Sequence, residues 1–176
     1  LRSRRTCPGM IAGVRRLVQQ GSNVNAPQGD GMTALHWAAE RGDAAMVKVL
    51  LAASANVKAV TRIGDYTPLH IAARAGNPAV VTALLTAGAD ARAVTTSGTT
   101  ALHFSAAAGD TASIGALADK NADVNAKENE WGQTPLVFAA AAGRAAAIRA
   151  LVKRGADVGL RTAVVNLQEQ AASEQA

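Results

Sequence analysis

Apolar residues along this chain fall into short stripes at helical spacing, separated by polar and glycine-bearing breaks. Ile11, Val14, Leu17 and Val18 form the first stripe, Met46, Val47, Leu50 and Leu51 the second, and Val80, Val81, Leu84 and Leu85 the third. Offsets of three and four place each set on one face of a helix. Ile148, Leu151 and Val152 form the last stripe. The stripe before it is thinner, because Gly115 interrupts it and Ala118-Asp119 replace a second leucine. Ahead of these helices the pattern predicts shorter, alanine-rich ones. Thr33 caps one through its hydroxyl, and Pro68 suits a first helical turn, where its missing N–H leaves nothing unpaired.

The stripes repeat with a period. Leu35, Leu69, Leu102 and Leu136 lie 34, 33 and 34 residues apart. Gly42, Gly76, Gly109 and Gly143 keep the same spacing, as do Asn23, Asn56, Asp90, Asp123 and Asp157. Three independent positions on one period mark a repeat architecture. The kernel at 67–73, TPLHIAA, has variants at 33–39, 100–106 and 134–140, and it resembles the ankyrin repeat over about residues 9–158. The resemblance implies an all-α repeat solenoid, a stack of helix-turn-helix units with projecting β-hairpin loops. Its expected divisions are an N-terminal half-repeat at 1–25, repeats at 26–59, 60–93, 94–126 and 127–158, and a C-terminal cap and mobile tail at 159–176.

Departures from the pattern carry their own expectations. Arg2, Ser3 and Arg4 take the places of Leu35, His36 and Trp37, and Pro8 falls in the last turn of that would-be helix, so residues 1–8 are expected to fray. Gly21 supplies a left-handed helix stop. Ser54 stands where other repeats place Gly88, Asn121 and Gly155, which predicts a strained left-handed serine. Single-residue insertions fall in the loops at 61–66 and 128–131. Trp37, Phe104 and Phe138 occupy one kernel position and are read as core. Val164, Val165 and Leu167 suffice for a short terminal element.

Composition narrows the function classes. Apolar residues make up 49% of the chain and aromatics 3%, which suits thin helices packed through alanine. No run reaches the roughly 18 apolar residues of a membrane span, and no signal-peptide pattern is present. A lone Cys7 cannot close an internal disulfide. The chain opens on Leu1 and not methionine, which leaves room for an upstream leader or further repeats. Compartment is not encoded; a cytoplasmic setting is favoured, and export requires a lost leader. The formal charge of +5 is concentrated at Arg2, Arg4, Arg5, Arg15 and Arg16, with the repeats nearly balanced, so it reads as a solvated end and not as a nucleic-acid site.

Candidate chemistry is absent from the pattern. His36, His70 and His103 come one per repeat, and repeats stacked about 10 Å apart cannot bring them to one ion at about 2 Å. The resemblance gives them a structural role, with the kernel Thr and His bonding each other and the loop backbone. Asp90, Asp123 and Asp157 share that spacing, too wide for a glycosidase pair; each is expected to bond the adjacent turn. No nucleophile elbow, phosphate loop, Cys–His dyad or HExxH occurs. No cofactor, no metal and no enzymatic activity are expected.

Surface positions that the fold leaves unexplained remain. The resemblance lines a concave groove with hairpin tips and with the pair before each inter-helix glycine: Glu40-Arg41, Arg74-Ala75, Ala107-Ala108 and Ala141-Ala142. The tips add Asp30 and Met32, then Arg62, Ile63 and Tyr66, then Glu130, Trp131 and Gln133. Tyr66 and Trp131 stand out, since aromatic anchors dominate interface energies. The reading is a monomeric, non-catalytic module that binds an unidentified protein partner, without nucleic acid and without membrane insertion. The alternative is the targeting or regulatory portion of a longer protein whose catalytic domain lies outside this chain.

Overall fold

The computed structural model describes residues 8–160 of the chain. Its helices alternate between two roles. One set is short: α2 (Ala34–Glu40), α4 (Pro68–Arg74), α6 (Ala101–Ala108) and α8 (Pro135–Ala141). The other set is α1 (Pro8–Gln19), α3 (Ala44–Ala52), α5 (Pro78–Thr86), α7 (Thr111–Asp119) and α9 (Ala145–Lys153). Each short helix packs on the helix that follows it and on its short neighbours in adjacent repeats; the others pack in the same order, so the chain forms two helical layers. The result is an all-α repeat stack.

The core lies between the layers. Leu35, Leu69 and Leu102 are buried beside Ala39, Ala73 and Ala106 from the inner side, and Val47, Val80, Leu84, Ile114, Leu117 and Leu151 meet them from the outer side. Alanine lets inner helices approach closely, while each buried leucine contributes about 1.5–3 kcal/mol by leaving water. The thin stripe of α7 is supported at its start. Asp110 accepts bonds from the Ser113 backbone and hydroxyl, and Ser113 is itself buried.

Loop tips are held by few backbone bonds. Gln28 N donates to Met32 O and Thr95 N to Thr99 O, whereas Thr61 N reaches Tyr66 O and Glu128 N reaches Gln133 O. The two longer closures are the two one-residue insertions. The expected hairpins are thus tight turns: among the described residues the only bridge is Val94 with Thr100. Adjacent tips are joined directly, Arg62 N donating to Asp30 O at 2.8 Å and Asn129 N to Ser97 O at 2.9 Å. A side chain at Gly31 would meet Arg62 N at 2.7 Å, so only glycine permits this approach. Ser54 adopts φ 61°, the strained left-handed geometry read from its register.

Several expectations change. Trp37 is 37% exposed and not core, with its Nε1 donating to Gln28 Oε1 at 3.3 Å. Leu17 is 52% and Val152 45% exposed, each on a helix at an end of the described stack. Pro8 itself is helical, the first described residue of α1. The frayed segment, Cys7, and the terminal element with Val164, Val165 and Leu167 lie outside the described residues.

Candidate functional site

Thr33, Thr67 and Thr100 each precede an inner helix, and each backbone N–H donates to Nδ1 of the histidine three residues on, at 3.1 Å. An N–H can only donate, so Nδ1 is the unprotonated nitrogen and Nε2 carries the proton. That Nε2 donates onward: His36 to Tyr66 O, His70 to Ala93 O and His103 to Gln133 O, at 3.0, 2.9 and 3.1 Å. Each ring therefore ties its own helix start to the following loop. Burial lowers all three pKa values from 6.5, against the opposing pull of the carbonyl acceptors. The aspartates act locally: Asp90, Asp123 and Asp157 accept from the backbone N–H two residues on. Among the described residues no group of three His, Cys, Asp or Glu side chains is placed to hold a metal ion.

The residues singled out on the surface divide into two regions. Asp30, Met32, Glu40, Ile63, Tyr66 and Arg74 line one open hollow of about 200 Å³, completed by Thr61 and Ile71. Its floor is apolar. The Tyr66 ring lies 5.9 Å from the Phe104 ring and 6.3 Å edge-on to His70, with the Arg74 guanidinium 5.3 Å from its centroid. Tyr66 is therefore half-buried against inner helices, not projecting from a tip. Ile63 is the opposite, 82% exposed on the rim. Arg41 and Arg62 are exposed outside this hollow.

Glu130, Trp131 and Gln133 belong to the last loop, which is built by a residue the sequence reading missed. Glu128 is buried, and its carboxylate accepts from the backbone of Glu130, Trp131 and Gln133 at 2.7, 2.8 and 2.8 Å. Burial alone pushes this carboxyl up, but the three N–H donors outweigh it and hold the pKa below 4.5. Register was the available signal: Glu128 takes the place of Thr61 and Thr95, whose hydroxyls accept from Tyr66 N and Thr99 N. The loop presents Trp131 at 42% exposure. Between the two regions run Ala107 and Ala108, with the Arg144 side chain laid across and donating to Ala107 O at 3.1 Å.

Residues 7–95 and 69–162 match the family model of ankyrin repeats, three copies. The chain belongs to the ankyrin repeat family. Ankyrin repeats are generally protein–protein interaction modules, and generally non-catalytic. No curated protein matches this chain. In this ankyrin repeat protein, no helix among the described residues is long and apolar enough to cross a membrane. Within that frame it carries the hollow beneath Tyr66 and the carboxylate-built loop at Trp131.

Proposed function

We propose that this ankyrin repeat protein binds another protein through its concave groove, with the Tyr66 hollow as one anchor and Trp131 as the other. The observation that supports this reading is convergence. Asp30, Met32, Glu40, Ile63, Tyr66 and Arg74 come from two tips and two inner helices, yet they border a single cavity. An apolar floor with a cation and two carboxylates at its edge gives both burial and orientation to an inserted side chain. Trp131 adds an exposed ring on a loop whose backbone is already fixed, so little ordering cost falls on association.

The test is capture of a partner, then its titration against Tyr66→Ala and Trp131→Ala variants of unchanged melting temperature. The expected result is at least about a tenfold loss of affinity for each, the range of an interface anchor. Undiminished affinity in both variants would move the site elsewhere on the stack.

A further inference from the structure

The outer helical layer carries two shallow hollows of its own. Hollows of about 500 and 650 Å³ lie between α1 and α3 and between α3 and α5. The first has Ile11, Val18 and Val49 in its lining, and the second Leu51, Ala79 and Ala83. On the rim, the Thr86 hydroxyl donates to Thr82 O at 2.8 Å, so its polar demand is met inside α5. The charges have one sign. Lys48 borders both hollows, Arg15 borders the first, and no carboxylate lines either among the described residues.

The asymmetry extends along the layer. Arg16, Lys120, Arg149 and Lys153 are exposed on or next to the outer helices. Within those described helices the single acidic residue, Asp119, is bonded to Arg154; next to them, Asp43 and Asp110 cap α3 and α7, each accepting from a backbone N–H. On the groove side, Asp30, Glu40, Asp65 and Glu130 stand against Arg41, Arg62, Arg74 and Arg144. The outer helices themselves therefore carry a basic excess, Arg15, Arg16, Lys48, Arg149 and Lys153 against Asp119.

We propose that the outer face around Lys48 is a second docking surface, and that its occupant is an amphipathic α-helix of another protein with acidic residues flanking its apolar stripe. Shape selects the helix. Each hollow is a shallow, open furrow between two side-by-side helices, at least nine residues and so about 13 Å long. A third helix seats its ridge in such a furrow at about 8–10 Å between axes. Charge selects the flanks, because carboxylates on either side of the stripe meet Lys48 and Arg15 with no opposing acid. This shares with the groove reading only the premise that the stack binds proteins.

The probe is a labelled amphipathic peptide of about 14 residues, with leucines at helical spacing and glutamates on both flanks. A twin carries lysine for each glutamate. By fluorescence anisotropy the acidic peptide is expected to bind at least about tenfold tighter than its twin, and to weaken as salt rises. Arg15→Glu/Lys48→Glu and Ala83→Asp, each checked for an unchanged melt, should lose that binding by a similar factor. Tyr66→Ala/Arg74→Ala should retain it, which separates this face from the groove. Equal binding of both peptides, loss in the Tyr66/Arg74 variant instead, or no binding by the native chain would overturn the proposal. So would sedimentation with phosphatidylserine-containing vesicles that Lys48→Glu abolishes, since that assigns the face to a membrane surface.

Discussion

Gly109 ends α6 with φ 80°, a conformation that costs an L-residue about 1–2 kcal/mol. A side chain there would also press on Arg144 Cδ at 3.0 Å. Gly109→Val should therefore lower stability by about 2 kcal/mol, with the β-branch at the upper end of the strain. Arg74→Ala should cost no more than about 1 kcal/mol, since it loses an exposed cation–π contact. Urea melts compare the two, and equal midpoints would refute the left-handed account of Gly109. At this scale the sequence was readable wherever backbone geometry dictated the residue, as at Gly109 and Ser54. It was not readable at Trp37, whose kernel position suggested core. Kernel position alone does not say whether a neighbouring loop covers the ring.

At the scale of the element, the histidines couple helix starts to loops through a neutral ring. Protonation would place a second N–H at Nδ1, facing the Thr N–H that donates to it, so acid works against this bond pattern. Since each folded pKa is lowered, the unfolded chain binds protons more readily there. Their contribution to stability is fully present above pH 6.5 and falls as pH drops through 6.5 towards the folded values. Urea midpoints should accordingly decline between pH 7.5 and about 5. The decline should shrink in His70→Gln, measured against its own neutral-pH midpoint. An unchanged slope in that variant would show that the acid response comes from other groups. The fourth repeat lies outside this coupling, since Val137 stands where the ring would be.

For the molecule as a whole, stability comes from interfaces between neighbours in the stack. Leu102 is fully buried on α6, which packs against α4, α7 and α8. Leu102→Ala should cost about 2–5 kcal/mol through lost burial and a cavity, and broaden the melt by dividing the stack. Arg154→Ala breaks an exposed ion pair to Asp119 and should cost at most about 1 kcal/mol. Thermal melts of both variants check the contrast. A larger effect from Arg154 would mean that the neighbouring α7 and α9 repeats are held by charge and not by packing.

The sequence by itself determined the period, the helix pairs and the glycine stops. Those follow from local rules, helical spacing and backbone geometry, that act within one repeat. The structure decided what depends on residues about 33 positions apart meeting in space. It gathered Asp30, Glu40, Tyr66 and Arg74 around one hollow while leaving Arg41 and Arg62 outside it. It turned Glu128 inward to build the Trp131 loop, and it set Lys48 between two hollows that no carboxylate among the described residues lines. A one-dimensional pattern fixes each residue's neighbours along the helix, whereas the stacking of repeats fixes which of those faces share a surface.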